Sequence, residues 1–446
     1  QEPSAYQIKD NKRLRKNAQA TFQYEVNENI VTTLDYTYSG VDFQSEGTMF
    51  GSWLGGWDTQ QATINSNGVY TDLVVGNRSY DHQLIWGATK NLNNSIGLNI
   101  DWQLNDDLRV SFDYHDSSSV KVGSELPNEM GFTTDKKGIL TQTNAGTSGI
   151  NTFAYDTAFN AADYYSTGIQ LWDAKKENDI EQLQINGEWN LDLGMIKSVN
   201  FGISRIENVF ADVRMGNANG ATSPSAAQYP DRIFTQTGLG SFMDSFSPNL
   251  GTDYYYHINK SLALTAFTDA NGAITAGDID SNERIIEDLD SAFIQLNMET
   301  DINGMPLNIV AGIRYESTDS ESISLEAKPS NIRWDFINGL EYVTGGVVDA
   351  PRYGEGDEVL PSIAMSLGIT ENQVIRFSYS DSIARPSLQD LRSQLTYGNR
   401  NYLTPTASGG NPALEPLQSS NLDLSYENYY AEGSYFAVNY FRKEVE

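Results

Sequence analysis

The sequence predicts an all-β protein, an antiparallel β-barrel that crosses a membrane. Three observations support this: runs of about ten residues alternate between apolar and polar side chains, short turns pair these runs, and much longer polar segments join the pairs. Successive side chains of a strand point to opposite faces, so each run has one apolar and one polar face. Runs of this length suit tilted strands that cross a bilayer.

The clearest hairpin lies between Ser95 and Asp116. Every second residue from Ile96 to Leu104 is apolar, and the same alternation returns from Leu108 to Tyr114 after the polar break at residues 105–107. This segment therefore predicts two strands joined by a tight turn.

Five more hairpins follow the same pattern. They pair residues 22–26 with 30–38, 183–191 with 199–203, 294–298 with 307–315, 363–369 with 375–379, and 422–426 with 436–440. In the third of these, Asn303-Gly304 is a strong turn signal. Six hairpins predict at least twelve strands, and no run of comparable length shows a helical period.

The connections are unequal in length. Turns inside the hairpins take two or three residues, whereas the joining segments are long: residues 39–94, 117–179, 213–285, 322–358 and 386–418. Outer-membrane barrels have short periplasmic turns and long extracellular loops. Aromatic residues on the apolar face just before short turns suit an interfacial girdle: Tyr24, Trp102, Trp189 and Tyr426. The alternative is that they are core aromatics of a soluble β-protein.

Composition narrows the class of protein. The 446 residues show no dividing linker, no apolar run of transmembrane-helix length and no cysteine. A hydrophobic content of 39% suits a barrel, because only every second strand residue needs to face lipid. The net charge of −30 argues against nucleic acid as a partner.

The motif search gives no enzyme chemistry. The three histidines, His82, His115 and His257, are far apart and lack metal-ligand spacing. We therefore predict no catalytic residue, no metal and no cofactor. A glycosidase-type acid pair stays open in so acidic a chain, although no pair stands out.

Four motifs between residues 360 and 423 carry a family resemblance. They are Leu360-Pro361-Ser362, Ala384-Arg385-Pro386, Gly410-Asn411-Pro412-Ala413-Leu414-Glu415-Pro416 and Ser420-Asn421-Leu422-Asp423. The segment resembles the TonB-dependent receptors of Gram-negative outer membranes. Lys9-Asp10-Asn11-Lys12-Arg13 and Tyr36-Thr37-Tyr38-Ser39 also resemble the early barrel of this family, in particular that of a marine proteobacterial, carbohydrate-type branch.

The resemblance implies a 22-stranded barrel filled by an N-terminal plug, with ligand bound outside between loops and plug. It also implies location in the outer membrane, contact with its lipid and lipopolysaccharide, and energy from the inner-membrane TonB–ExbB–ExbD complex acting through the plug. On this basis residues 1–446 are expected to be a barrel-domain fragment from which the plug and the final strands are absent.

Candidate site residues fall into two groups. Loop aromatics that could stack on a ligand are Trp53, Trp57, Tyr164, Tyr165, Trp172, Tyr254, Tyr255, Tyr256 and Trp334. The alternative is that they pack the loops together or form an outer girdle. Polar-face residues that could pair with a plug are Arg314, Glu316 and Arg376, the alternative being simple hydration.

Three functions remain open at this point. The first is TonB-dependent import of a scarce nutrient, either a glycan, a siderophore or a cobalamin-like ligand, with glycans favoured. The second is a passive outer-membrane porin or structural barrel. The third is a secreted, soluble β-rich enzyme or adhesin, which unlike a barrel would need no detergent for extraction.

Overall fold

The computed structural model describes residues 2–54, 58–68, 70–124, 128–144, 151–219, 229–239, 252–272, 279–335, 339–349, 351–397 and 406–446. The predicted ligand residue Trp57 lies outside these ranges. The strands are β1 (Glu2–Asn27), β2 (Ile30–Leu54), β3 (Thr59–Ile64), β4 (Tyr70–Arg78), β5 (Asp81–Gln103), β6 (Leu108–Gly123), β7 (Asn128–Thr134), β8 (Gly138–Asn144), β9 (Asn151–Tyr155), β10 (Tyr164–Leu193), β11 (Ile196–Asn219), β12 (Phe234–Gly238), β13 (Tyr254–Ile258), β14 (Ile279–Ile302), β15 (Met305–Asp335), β16 (Gly339–Asp349), β17 (Arg352–Thr370), β18 (Gln373–Ala384), β19 (Leu395–Tyr397), β20 (Ala407–Gly409), β21 (Leu417–Ala431) and β22 (Ser434–Val445). In the described part of the chain, one α-helix, α1 (Lys260–Asn271), lies between β13 and β14.

The main sheet is an antiparallel meander. Its strands follow the order β1-β2-β5-β6-β10-β11-β14-β15-β17-β18-β21-β22, while β7 pairs with β5 and β10 and β16 pairs with β15. All six predicted hairpins are present, as β1–β2, β5–β6, β10–β11, β14–β15, β17–β18 and β21–β22. The prediction of an antiparallel all-β fold is therefore confirmed.

Turn chemistry explains the register of these hairpins. Ile302 pairs with Met305, so Asn303 and Gly304 are the two turn residues. Both have positive φ, 55° and 84°, which is what a two-residue turn matched to the strand twist requires. In the β10–β11 hairpin the strand runs on to Leu193, so the turn lies slightly later than the sequence pattern predicts.

The strands reach further than the alternation does. β2 continues to Leu54 and β15 to Asp335, well into segments that were predicted as connections. Ladder hydrogen bonds join backbone groups, so a strand persists in polar sequence where no apolar pattern marks it. The connections that remain hold three smaller sheets, β3-β4-β8-β9, β12-β13 and β19-β20.

The sequence pattern did not predict α1. Asn259 caps the helix, its side-chain oxygen accepting from the Leu262 N–H at 3.0 Å, and Ala263 and Phe267 are buried one turn apart. Among the described residues, no helix combines the length and apolarity needed to cross a membrane.

The two faces of the main sheet differ in character. We call the face that carries Leu98, Ile185 and Ile294 the apolar face, and the opposite one the polar face. Large side chains on the apolar face are exposed to solvent, for example Trp189 at 47% and Ile203 at 57%. A two-layer sandwich would bury such side chains between its sheets, whereas a membrane-facing surface leaves them on the outside.

Hydrogen bonds run along the polar face. The Asn99 amide donates to Asp113 at 2.7 Å. Gln295 donates to Asn297 at 3.2 Å, and Asn297 donates to Ser198 on the neighbouring strand at 2.8 Å. These side chains satisfy one another within the sheet.

Buried hydrophobic side chains form two clusters in the connections and the adjoining strand ends. The first contains Leu84, Met130, Phe132, Tyr164, Ile169, Tyr229, Ile233, Phe234, Tyr256, Ile258, Ala263 and Phe267, and the second contains Tyr6, Phe50, Tyr80, Leu140, Phe153, Phe159, Leu239 and Tyr255. We call both together the loop core.

Candidate functional site

The segment with the family-like motifs folds over the polar face. We call its described residues, 385–397 and 406–416, the polar-face loop. Ser393 is fully buried, and its N–H donates to the Ser322 hydroxyl at 2.8 Å. The Ser393 and Ser324 hydroxyls lie 2.6 Å apart. The loop is thus bound to alternate residues of β15, which share one face of that strand.

The second described part of the polar-face loop, residues 406–416, also contacts the polar face. The Ser320 hydroxyl donates to the Pro412 carbonyl at 2.8 Å. A Cβ at Gly354 of β17 would come within 2.1 Å of that carbonyl oxygen. A glycine is therefore required where the loop backbone passes directly over β17.

A buried charge cluster lies where the polar-face loop extends furthest from β18. Arg392 Nε lies 2.9 Å from Glu283 of β14, and its Nη2 lies 3.4 Å from Asp212 of β11. Lys176 of β10 is 3.2 Å from Asp212. The Glu283 side chain is 0% exposed, and burial raises the pKa of its carboxyl to about 7, although Arg392 opposes the rise.

The predicted polar-face residues are all engaged in ion pairs within the wall. Arg314 Nε donates to Glu316 at 2.5 Å, and Arg385 of the polar-face loop pairs with the other oxygen of Glu316. Arg376 pairs with Glu427 at 3.1 Å and donates to Ser366. The Glu316 carboxylate thus bridges two guanidinium groups and joins the loop to β15.

Among the described residues, cavities open on the polar face, and two of them bear on the candidate site. One of about 270 Å³ lies beneath the polar-face loop, and its lining includes Glu287, Arg385, Leu391 and Gln418. A more open groove of about 380 Å³ lies around Arg376, Ala364, Ser366 and Ser425. Small side chains leave this second groove room for another chain segment.

Three of the predicted loop aromatics are inside the loop core. Tyr164 is 1% exposed, Tyr255 6% and Tyr256 5%. Tyr164 and Tyr256 both contact His82, which is completely buried. These rings pack the loops together, the alternative that the sequence left open, and their burial leaves no face free for stacking on a ligand.

His82 organises this part of the loop core. Its Nε2 accepts from the Tyr256 N–H at 3.1 Å, so its Nδ1 carries the proton and donates to the Tyr164 hydroxyl at 3.1 Å. Burial lowers the pKa of His82 to about 3, which keeps the ring neutral. The sequence search rejected His82 as a metal ligand but gave no sign of this structural role.

The other predicted aromatics that the structure describes are less buried. Trp53 and Trp334 are exposed, at 40% and 61%, and so keep ring faces open to solvent. Tyr165 and Tyr254 are half-buried, and Trp172 is half-buried with the Arg214 guanidinium 6.0 Å from its ring centre.

Sequence reasoning missed Arg392, Asp212 and Glu283. Pairing of β11 with β14 places Asp212 beside Glu283, and the path of the polar-face loop brings Arg392 to them. Within the described residues, no group of three or more acidic, histidine or cysteine side chains could hold a metal ion.

Comparison with known families gives one match. The model described as TonB dependent receptor-like, beta-barrel covers residues 128–446, well over half of the chain. The comparison with curated proteins found no match.

The comparison with solved structures gives matches of low sequence identity, with TM-scores below 0.5. The ferric-catecholate import receptor Fiu of E. coli K12 is 10% identical, with a TM-score of 0.46 over 100% of this chain and 58% of that one. The siderophore receptor PiuA of Acinetobacter baumannii is 10% identical, with a TM-score of 0.40 over 98% of this chain and 56% of that one. The ferric preacinetobactin receptor BauA of the same organism is 8% identical, with a TM-score of 0.38 over 99% and 54%. The chain therefore spans somewhat more than half the length of these proteins.

Proposed function

The chain belongs to the family of TonB-dependent receptor-like β-barrels. We therefore propose that it forms part of the wall of an outer-membrane receptor for TonB-dependent import of a scarce nutrient. The observation that carries this proposal is the two-sided sheet. Its apolar face exposes large hydrophobic side chains, and its polar face is hydrogen bonded from strand to strand. In the proposed receptor the first faces outer-membrane lipid and lipopolysaccharide, and the second faces the lumen.

Residues 1–446 are proposed to belong to the barrel domain, with import driven by the TonB–ExbB–ExbD complex through a plug of the family type. The groove around Arg376 supports this arrangement, because its small side chains leave space along the polar face. No catalytic step is needed for such a role.

The ligand is proposed to be a glycan, a siderophore or a cobalamin-like molecule. We favour a glycan of the kind taken up by the carbohydrate-type branch, since Trp53 and Trp334 keep exposed rings that suit stacking on sugars. The siderophore and cobalamin-like classes stay open beside it. PiuA is described as a siderophore receptor, Fiu as a ferric-catecholate import receptor and BauA as the ferric preacinetobactin receptor.

The test is uptake by the full-length receptor in a Gram-negative host, with and without a functional TonB complex. Cells would be given labelled oligosaccharides, ferric siderophores and cobalamin in turn. The proposal expects uptake of one class that stops when TonB is removed. Uptake that persists without TonB would indicate a passive porin instead, and release from membranes without detergent would indicate a soluble protein.

A further inference from the structure

Three exposed lysines lie on the apolar face of the first strands of the wall. Lys12 and Lys16 belong to β1, and Lys90 belongs to β5. Each lies an even number of residues from an apolar-face side chain of its own strand, Phe22 or Leu98, with no break in the register between them. The lysine side chains therefore point out of the wall and away from the polar face.

Two of these lysines line an open recess of about 400 Å³. Lys12 and Lys90 form part of its lining together with the exposed apolar side chains of Leu14 and Val122. Val122 of β6 lies directly opposite Lys90, and Lys16 follows Leu14 by two residues on the same face. Lysines can lay their apolar stems along such a surface while the ammonium group stays at its edge.

The charge around this recess is positive. Asp42 of β2 lies opposite Lys90, so three lysines and one aspartate leave a net charge of +2. Glu46, further along the same face of β2, pairs with Lys260 of α1, which balances its charge. Across the part of the chain that the structure describes, none of the three lysines forms an ion pair. Their ammonium groups are therefore open to an external anion.

The lysines lie at the outer boundary of the expected lipid band. Lys16 is twelve residues from Glu28 in the short turn between β1 and β2. A rise of about 3.4 Å per residue and a strand tilt of about 40° place it roughly 30 Å from that turn along the membrane normal. The apolar band of a barrel wall is about 25 Å tall. Lys16 therefore reaches the headgroup level, and Lys12 and Lys90 lie somewhat further out.

The same face is acidic on the following strands. One carboxylate stands at directly opposed register positions on each of six successive strands, β6, β10, β11, β14, β15 and β17. We call this set the carboxylate row: Asp116, Glu181, Glu207, Asp288, Asp319 and Glu355. Arg205 compensates Asp288 in part. A phosphate-bearing lipid is therefore repelled along β6 to β17 and attracted at β1 to β5.

We propose that the recess binds the phosphate groups of a lipid of the outer leaflet, the lipid A part of lipopolysaccharide, through Lys12, Lys16 and Lys90. The acyl chains of that lipid continue along the apolar face towards the short turns, a contact that a free phosphate ion cannot make. The inference rests on the proposed function, because this face meets lipid only in a membrane wall. It assigns the bound lipid to the first strands and keeps it away from the carboxylate row.

Lipid binding can be measured on the purified full-length receptor in detergent. The probe is lipid A that carries both of its phosphates, and the measured quantity is its affinity for the receptor. We expect the combined variant Lys12→Gln, Lys16→Gln and Lys90→Gln to lose at least about tenfold in affinity, since each lysine near a membrane surface adds to the attraction of anionic lipid.

The matched control removes the same charge from the polar face. Arg13→Gln, Arg15→Gln and Lys121→Gln each change a neighbour of an apolar-face residue on β1 or β6, so their side chains point the other way. This variant should keep the unmodified affinity. Equal affinity in all three proteins, or an equal loss in both variants, would overturn the lysine site.

A gain in affinity gives a second readout that unfolding cannot imitate. Asp42→Asn removes the anion that lies opposite Lys90, so we expect it to raise the affinity for lipid A about threefold or more. Should the lysine variant fail to fold, this change decides the matter, and an unchanged affinity would overturn the proposal.

Two further probes identify the source of the phosphate. Lipid A stripped of its phosphates should bind at least about tenfold more weakly, and an excess of inorganic phosphate should leave bound lipid A in place. Displacement by inorganic phosphate would indicate a free-anion site and overturn the lipid assignment.

Failure of the lipid site is distinguishable from failure of the import function. If the lysine variant binds lipid A normally while uptake still depends on TonB, the site is wrong and import stands. If uptake is absent but lipid binding depends on the lysines, import is wrong and the site stands. Release of the receptor from membranes without detergent would overturn both.

Discussion

Phe50 and His82 are register partners on β2 and β5, and they lie on the same face of the sheet as Leu34 and Leu98, sixteen residues nearer the short turn. The register between these strands is unbroken, so the faces do not exchange along the way. One continuous face therefore carries exposed hydrophobic side chains near the turns and the buried loop core at the far end. The loop core packs against the outside of the proposed wall, and the polar-face loop packs against its inside.

Replacement of His82 by alanine should destabilise the loop core by about 3 kcal/mol. It leaves the buried Tyr256 N–H and Tyr164 hydroxyl without partners and opens a cavity. Hydrogen exchange across residues 254–258 would measure the loss. His257→Ala, at an exposed neighbouring position, should show wild-type protection, and equal effects at both positions would contradict the proposed hub.

A charge on the apolar face should impair membrane insertion. Ile185→Arg places a guanidinium where lipid contact is proposed, at a cost of about 2–4 kcal/mol near the bilayer centre. Gln184→Arg changes the adjacent residue, which points to the polar face, and should be tolerated. Folding yield into lipid vesicles distinguishes the two variants, and an equal yield would contradict the assignment of faces.

The bridging carboxylate of Glu316 should matter more than an exposed ion pair. Glu316→Ala leaves Arg314 and Arg385 facing each other without a counter-charge, which we expect to cost about 3 kcal/mol. Chemical denaturation in detergent measures this difference.

The matched control is Glu444→Ala, which breaks the pair between Glu444 and Arg442, also two residues apart on one strand but mostly exposed. Its effect should stay below about 1 kcal/mol. Similar losses in the two variants would indicate that the Glu316 bridge contributes nothing beyond a surface pair.

Seating of the polar-face loop should weaken as pH rises. Burial raises the pKa of Glu283 from its ordinary 4.5 to about 7, so its contribution to the seated state is fully present below about 4.5 and is lost as pH rises to about 7. The measurement is the rate of maleimide labelling of Ser393→Cys in the purified protein. Dividing it by the rate for Ser408→Cys, at an exposed position, corrects for thiol ionisation. This ratio should rise roughly tenfold or more from pH 5 to pH 8.

Glu283→Gln should flatten this profile, because the amide does not titrate. If the labelling ratio rises with pH equally in the wild-type background and in the Glu283→Gln variant, another group causes the pH dependence.

The sequence predicts the wall well because its signals are local. The alternation on each strand and the positive-φ pair Asn303-Gly304 act over a few residues, and both are readable without a structure. The loop core is different in kind. Tyr164 contacts His82, which is 82 residues away in the sequence. Arg392 contacts Asp212, which is 180 residues away. Partners so distant in sequence leave no periodic trace, so the aromatic residues were identifiable as important but their burial was not.

The loop core and the polar-face loop are held by different kinds of contact, so they should unfold in a definite order on heating. Apolar packing around Phe50 and His82 loses little strength on warming, whereas the polar serine and ionic contacts at Ser393 and Arg392 should give way earlier. Heating should therefore release the polar-face loop before it unfolds the loop core. An antibody raised against the gently warmed protein would then still recognise its outer surface.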